Sequence, residues 1–162
     1  MIAMPIHLSD YLSDEEKSWL TDSSSLSLRL RQFTKNKIIF QVLHDHWDNA
    51  DEAAYQLLSI DHKMKTWIRR IEWCYENQLW IHATVVIPET SLTDQTRELM
   101  HVGNGAIGDI LFQDPTLTRS HFTFQKNENI FSRDSIFHYK QHPLLITEIF
   151  FPEFFRAVCK KN

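Results

Sequence analysis

Glycine and cysteine are both scarce in this chain of 162 residues. The two cysteines, Cys74 and Cys159, are too few for a disulfide framework, and neither has a neighbour at metal-ligand or redox-motif spacing. We therefore expect reduced thiols, as in a cytoplasmic protein. The three glycines all fall within residues 103–108, so this stretch is predicted to need glycine while turns elsewhere form without it.

Long apolar runs and blocks of like charge are also absent. No apolar segment approaches the roughly 20 residues needed to cross a bilayer, and the N-terminus has no basic flank followed by an apolar run. The 17 basic residues nearly balance the 21 acidic ones, which gives a formal charge of -4. We therefore expect a cytoplasmic protein with no membrane insertion and no nucleic-acid partner.

Apolar and aromatic residues are plentiful enough to fill one core. They make up 43% and 12% of the chain, whose length suits a single domain over residues 1–162. Helical patterns are inserted among strand hairpins, which indicates an α+β fold with a mainly antiparallel sheet. No apolar helix face is obviously unused, so we expect a monomer.

Local patterns place the helices and strands along the chain. Ser13 and Glu16 have capping-box spacing at the start of a short helix that ends near Leu20. Further helices are predicted over 26–33, 53–58, 91–101 and 106–112, with a short helix or irregular end over 154–161. Strands are predicted over 37–46, 66–75, 79–87, 119–125, 130–139 and 144–151.

The stretch 142–152 has the strongest strand pattern. It is rich in β-branched and aromatic residues and apolar on both alternating sets of positions, which is typical of a strand covered on both faces. Alternation puts Glu148 on the same face as Ile146 and Phe150. An ionised carboxylate in apolar surroundings is costly unless it is paired, so we expect a cationic partner.

The best candidate partner lies in the strand predicted over 66–75. Alternation puts Arg69 on an aromatic, apolar face with Trp67, whereas Arg70 lies on the more polar face. A guanidinium stays charged in any protein environment and presents a planar fork of donors to a carboxylate. We therefore expect a buried Arg69 to pair with Glu148 or with the carboxylate of a ligand. The alternative is a purely structural ion pair.

The glycine-containing stretch 103–108 leads into a predicted helix. Helix N-termini present unpaired N–H groups, and glycine lets the backbone approach a ligand closely, so the amide of Ile107 or a neighbour is a candidate anion site. Residues 23–26, at the start of the second predicted helix, are a candidate of the same kind. The alternative at both places is an ordinary capped helical turn.

Metal and cofactor motifs are missing from the sequence. His44 and His46 alternate onto one face of their predicted strand, but no third ligand is placed by spacing, so we expect surface or hydrogen-bonded histidines rather than a metal site. The sequence contains no phosphate-binding glycine loop, nucleophile elbow or zinc pattern.

A set of motifs in the second half of the chain resembles the chorismate lyase family. The order and spacing agree from Trp67 to Pro152, whereas residues 35–66 are hardly covered. The motifs are Trp67-Ile68-Arg69-Arg70-Ile71 with Cys74, Thr84-Val85-Val86, Gly108 with Leu111-Phe112, Thr116-Leu117-Thr118-Arg119, and Pro143-Leu144-Leu145-Ile146-Thr147-Glu148-Ile149-Phe150 with Pro152.

The resemblance implies an antiparallel sheet with two helix-turn-helix flaps over a buried ligand pocket. It implies removal of pyruvate from the substrate chorismate to leave 4-hydroxybenzoate, a precursor of the ubiquinone ring, without cofactor or metal. By motif, Arg69 and Glu148 are the catalytic residues: Arg69 grips the ring carboxylate, and Glu148 contacts the ring oxygen opposite it. Leu26 and Ile107, at the two flaps, are implied to bind substrate through backbone N–H groups.

One position departs from the family pattern. Where the pattern often has a glycine followed by a second arginine, this chain has His82-Ala83, which leaves His82 and Arg119 as candidates to replace that arginine. Two other functions stay open. One is a small-molecule sensor, because the fold is similar to effector-binding domains of transcription regulators, although residues 1–36 are too few and not basic enough for a DNA-binding domain. The other is a family member that binds 4-hydroxybenzoate without turnover.

Overall fold

The strands of the protein form one antiparallel sheet. The computed structural model describes residues 6–160, and within them the sheet has the order β1-β2-β3-β7-β6-β4, with β5 also paired to β6. This arrangement confirms the predicted α+β class. The strands are β1 (Ile39–Asp48), β2 (Thr66–Tyr75), β3 (Gln78–Pro88), β4 (Thr118–Arg119), β5 (Thr123–Asn127), β6 (Ile130–Tyr139) and β7 (His142–Phe150).

The helices are short and lie between the strands or at the ends of the described chain. They are α1 (Asp14–Thr21), α2 (Leu26–Phe33), α3 (Glu52–Leu58), α4 (Ile107–Leu111) and α5 (Pro152–Cys159), with 3-10 turns at Leu8–Asp10, Glu89–Ser91 and Arg97–Met100. None of these helices is both long enough and apolar enough to cross a membrane.

The first helix begins as the sequence predicts. The Ser13 hydroxyl accepts a hydrogen bond of 3.2 Å from the Glu16 N–H, and the Glu16 carboxylate accepts one of 2.9 Å from the Ser13 N–H. These two bonds complete a capping box, which satisfies donors that the helix itself leaves unpaired.

The tight turns of the sheet form without glycine. Between β2 and β3, Glu76 and Asn77 have φ of 50° and 63°, and between β6 and β7, Lys140 and Gln141 have φ of 48° and 71°. Two consecutive positive φ angles are the signature of the hairpin turn that matches the twist of the flanking strands. Glycine is therefore not needed at these turns, as the sequence predicted.

Two element predictions are wrong. The helix predicted over 91–101 is instead a pair of 3-10 turns, because the Thr96 hydroxyl accepts from the Thr93 N–H at 2.8 Å and donates to the Ser91 carbonyl at 2.6 Å. Such local side-chain bonds compete with the hydrogen bonds of a helix. The strand predicted over 119–125 is broken into β4 and β5.

Helix α5 anchors the N-terminal helices to the sheet. Its Phe154 side chain is fully buried and meets the ring of Trp19 on α1 edge-on at 5.3 Å and that of Trp80 on β3 at 5.6 Å. Burial of each large aromatic side chain contributes about 1.5–3 kcal/mol. This aromatic cluster fixes α1 and α2 over one face of the sheet, which we call the front face.

The opposite, back face is covered by α3. Its Ala54 and Leu58 pack on a buried row of three neighbouring strands, formed by Ile68, Val86 and Leu145. The front face is covered by two segments, named here the first flap (residues 14–33, α1 and α2) and the second flap (residues 97–111, the 3-10 turn and α4).

Candidate active site

A pocket lies between the front face and the two flaps. Its empty space measures about 580 Å³, part of which opens to solvent. The floor comes from β2, β3 and β7, and the walls come from the flaps, β1, β4 and β6. The lining residues are Ser25, Leu26, Ser27, Phe40, Arg69, Ile71, Trp73, Ala83, Val85, Ala106, Ile107, Gly108, Leu111, Phe112, Arg119, Phe137, Ile146 and Glu148.

All the site residues predicted from the sequence line this one pocket. Arg69 and Glu148 are on its floor, and Leu26 and Ile107 are on the two flaps. Leu26 and Ile107 are the first residues of α2 and α4, so their N–H groups have no acceptor inside their own helices. Chain positions more than 100 residues apart are therefore brought together as predicted.

Arg69 is held at the pocket by the edge strand and by the second flap. Its side chain is 1% exposed, and its Nη1 donates to the Asp45 carboxylate at 2.8 Å. Its Nη2 donates to the carbonyl of Gly105. Burial lowers the pKa of Arg69, and the Asp45 carboxylate opposes that shift.

One nitrogen of Arg69 has no partner. Its Nε is buried, yet no group in residues 6–160 accepts a hydrogen bond from it. A buried donor without an acceptor costs free energy of about 1–3 kcal/mol. The pocket therefore contains a cationic donor that a bound carboxylate would satisfy.

Glu148 is paired with two other arginines rather than with Arg69. The Arg133 Nε and Nη2 donate to its two oxygens at 2.8 and 3.4 Å, and the Arg119 Nη2 donates at 3.2 Å. Of the two partners expected for Arg69, Glu148 is therefore wrong, and the carboxylate of a ligand stays a prediction. Burial lowers the pKa of Arg119 to about 10, so its guanidinium stays charged at neutral pH.

The sheet order explains the separation of Arg69 from Glu148. Strand β3 lies between β2 and β7, and its Val85 and Ala83 face Arg69 and Glu148 respectively. Two strand spacings and a stagger of two residues along the strands put the Cα positions of the two charged residues about 12 Å apart. The small side chain of Ala83 beside Glu148 leaves the floor open at this point.

Arg133 connects Glu148 to the first flap. It is fully buried, and its Nη1 donates to the carbonyls of Leu20 and Asp22 at 2.9 and 3.0 Å. These carbonyls end α1, where the helix has no internal donors left for them. A cation at the carbonyl end of a helix is also favoured by the helix dipole.

Arg133 and Asp45 were missed from the sequence. Alternation along β6 puts Arg133 on the apolar face with Phe131 and Phe137, which is the signal that identified Arg69 and could have found it. Asp45 lies on the edge strand β1 directly opposite Arg69. Nothing in the sequence predicts that register.

The flaps touch each other through Asp109 of α4. Its Oδ1 accepts hydrogen bonds from the Arg31 Nη2 at 2.7 Å and from the Ser27 hydroxyl at 3.2 Å, both on α2. The contact joins the first flap to the second above the pocket.

Comparison with known proteins places this chain in a family. Residues 7–160 match the family model described as chorismate lyase. The probable chorismate pyruvate-lyase of Coxiella burnetii (strain RSA 493 / Nine Mile phase I) is 35% identical, over 91% of this chain and 88% of that protein. The chain belongs to the chorismate lyase family. The chorismate pyruvate-lyase of Proteus mirabilis (strain HI4320) is 29% identical, over 91% of this chain and 90% of that one.

Solved structures share the fold at low sequence identity. The possible transcriptional regulator YydK from Bacillus subtilis has a TM-score of 0.51 at 11% identity, over 73% of this chain and 60% of that one. A GntR-family transcriptional regulator from Bacillus cereus has a TM-score of 0.52 at 9% identity, over 72% of this chain and 93% of that one. At such identities the likeness shows the fold alone.

The departure from the chorismate lyase pattern at residues 82 and 83 can now be located. Ala83 is on the pocket floor, whereas His82 alternates to the back face. Burial lowers the pKa of His82. Of the two candidates to replace the family arginine, only Arg119 lines the pocket.

The histidines of β1 stack on each other. The ring centroids of His44 and His46 are 3.7 Å apart, and the His44 Nε2 lies 3.4 Å from the Asp48 carboxylate. Burial and the neighbouring His46 lower the pKa of His44. Among residues 6–160, no group of three or more His, Cys, Asp or Glu side chains is placed to hold a metal ion.

Proposed function

We propose that this protein is a chorismate pyruvate-lyase that forms 4-hydroxybenzoate and pyruvate, and that its product supplies the ubiquinone ring. The observation that carries the proposal is the buried, partnerless Nε of Arg69 in an apolar pocket that also contains Glu148. Family membership supports the same activity.

The ligand fits the pocket by its two ends. The ring carboxylate binds the unoccupied donors of Arg69, with the N–H groups of Leu26 and Ile107 as further donors from the flaps. The ring packs among Ile71, Trp73 and Leu111, and its hydroxyl reaches toward Glu148. Groups at opposite ends of a six-membered ring suit the distance of about 12 Å between the two charged strand positions, once hydrogen-bond lengths are included.

The chemistry needs alignment and charge stabilisation. The carbon that carries the ring hydroxyl loses its hydrogen, the ether bond on the neighbouring carbon breaks, and the ring becomes aromatic. The ring hydrogen leaves as a proton and its bonding pair becomes part of the aromatic ring, while the ether oxygen takes the pair of the broken bond. The released enolpyruvate gains one proton on its methylene carbon and leaves as pyruvate, so the proton lost by the ring equals the proton gained. Arg69 fixes the ring in one orientation.

Glu148 and Arg119 act at the other end of the ring. Glu148, held in place by the guanidiniums of Arg119 and Arg133, accepts a hydrogen bond from the ring hydroxyl and orients the carbon that loses its hydrogen. Arg119 beside it presents positive charge where the departing ether oxygen becomes negative.

The proposal includes a monomer in the cytoplasm. Sedimentation of the purified protein tests this point, and a dimer that dissociates with loss of activity would contradict it.

The test mixes the purified protein with chorismate, a chelator and no added metal. Pyruvate and the absorbance of 4-hydroxybenzoate should rise together. Arg69→Ala should lower turnover by on the order of 100-fold or more, whereas Arg156→Ala, at an exposed ion pair on α5, should not change it. Binding of 4-hydroxybenzoate by the wild type without release of pyruvate would instead support the alternative, a non-catalytic small-molecule binding module.

A further inference from the structure

Asp45 meets two donors of β2 at the rim of the pocket. Its Oδ2 accepts from the Arg69 Nη1 at 2.8 Å, and its Oδ1 accepts from the indole N–H of Trp67 at 2.8 Å. Trp67 and Arg69 are two residues apart and so lie on one face of the strand. Each oxygen of Asp45 is therefore matched to one donor of that face.

The contacts of Arg69 decide which of its edges is available. A guanidinium has five N–H donors and can receive a carboxylate on the edge formed by both Nη atoms or on the edge formed by Nε and Nη2. Asp45 occupies Nη1, whereas Nε has no acceptor among the described residues. The Nη2 keeps one N–H beside its bond to the Gly105 carbonyl.

We propose that Asp45 is a positioning residue that makes Arg69 present its Nε and Nη2 edge to the ligand carboxylate. The inference rests on the proposed lyase function and adds to it the residue that fixes how the substrate carboxylate is held. Trp67 in turn fixes Asp45, because its indole donor occupies the second oxygen.

Loss of the Asp45 carboxylate should have opposite effects on the affinity for an anionic ligand and on the rate of catalysis. Removing the negative charge of Asp45 leaves the charge of Arg69 without its partner, which favours binding of an anion. The same change lets the guanidinium rotate, and a misplacement of about 1 Å can lower a rate by about 100-fold. A positioning role therefore predicts that catalysis falls while affinity does not.

The deciding variant is Asp45→Asn. Asparagine has one side-chain oxygen for two donors, so the bond to Arg69 or the bond to Trp67 is lost while the size is kept. We expect kcat for chorismate to fall about 10- to 100-fold, with the Kd of 4-hydroxybenzoate by calorimetry equal to or below that of the wild type. Arg69→Ala is the matched control, in which kcat falls and Kd rises together.

Two results would overturn the inference. One is an unchanged kcat in Asp45→Asn, and the other is a Kd that rises in proportion to the loss of kcat, as in the control. If Asp45→Asn does not fold, Trp67→Phe is the substitute test, because it keeps the Asp45 carboxylate and removes its second donor. Its kcat should fall less than that of Asp45→Asn, again without a rise in Kd. Absence of turnover in the wild type would reject the proposed function itself. The Kd of 4-hydroxybenzoate is measured without any reaction, so it tests the contacts of Arg69 separately from the lyase activity.

Discussion

The two charged centres of the pocket differ in how completely they are paired. Glu148 receives donors from two arginines, and one of these is fully buried and also tied to the first flap. Arg69 has one anionic partner and a nitrogen with no acceptor in residues 6–160. The Glu148 centre is fully paired and therefore contributes to the stability of the fold, whereas Arg69 still has an N–H donor for a ligand. Substitutions at the two centres should therefore fail in different ways.

The largest difference should appear in stability. Glu148→Gln leaves the guanidiniums of Arg133 and Arg119 buried without their carboxylate, and loss of one partner of a buried pair costs about 3–5 kcal/mol. Arg69→Ala should cost clearly less, because Asp45 is 21% exposed at its side chain and keeps its bond to Trp67. Denaturant unfolding of both variants measures the free energies, and equal losses would contradict the distinction.

Ligand affinity should depend more on Arg69 than on Glu148, which is the reverse of the order for stability. Arg69→Lys keeps a positive charge but loses the planar fork that a carboxylate needs. We expect the Kd of 4-hydroxybenzoate to rise about 10- to 100-fold, equivalent to about 1.4–2.7 kcal/mol, with little loss of stability. Calorimetric titration measures this, and a wild-type Kd would show that charge alone holds the ligand.

Asp134 offers a comparison with Glu148, because its carboxylate forms no ion pair with any group in residues 6–160. It follows Arg133 on β6 but faces the back of the sheet, where its side chain accepts one hydrogen bond, of 2.5 Å, from the Thr147 hydroxyl. Burial raises the pKa of Asp134 above its unfolded value of 3.8. The folded state therefore binds this proton at pH values where the unfolded chain has lost it, and the free energy of unfolding falls as pH rises through that window.

Asp134→Asn should remove this penalty while keeping an acceptor for Thr147. We expect a higher Tm at pH 7, by about 2–4 °C for each ~1 kcal/mol, and no advantage below pH 3.8, where both states carry the proton. Thermal scans from pH 3 to 8 provide the measurement. A Tm difference that stays constant with pH would rule out the carboxylate charge as its cause.

A smaller effect is expected where the two flaps meet. Asp109→Asn weakens the contact with Arg31, a partly exposed ion pair of a kind worth about 0.2–1 kcal/mol. Release of 4-hydroxybenzoate should become about 2- to 5-fold faster, because each ~1.4 kcal/mol corresponds to tenfold. Stopped-flow fluorescence of Trp73 on the pocket floor can follow release, and the effect should decrease with salt.

The sequence predicts on which face of the sheet each site residue lies better than it predicts which residues pair with each other. Alternation along single strands places Arg69 and Glu148 on the front face, and the capping box places α1. Which strands become neighbours depends on long-range packing, so the insertion of β3 between the two charged strands could not be deduced. The contact of Asp45 with Arg69 has the same origin, since register between β1 and β2 follows from the bulge at Val42/His44.

The bonds from Arg133 to the first flap go to backbone carbonyls, not to side chains. Every amino acid supplies a carbonyl, so exposed positions of that turn such as Thr21 and Ser23 should accept many replacements without loosening the flap. A saturation library over the turn and Arg133, selected in cells that receive none of the enzyme's product and grow only when the enzyme makes it, should therefore be permissive at these positions and intolerant at Arg133. The specificity of this connection is encoded on the sheet alone, which leaves the loop free to diverge.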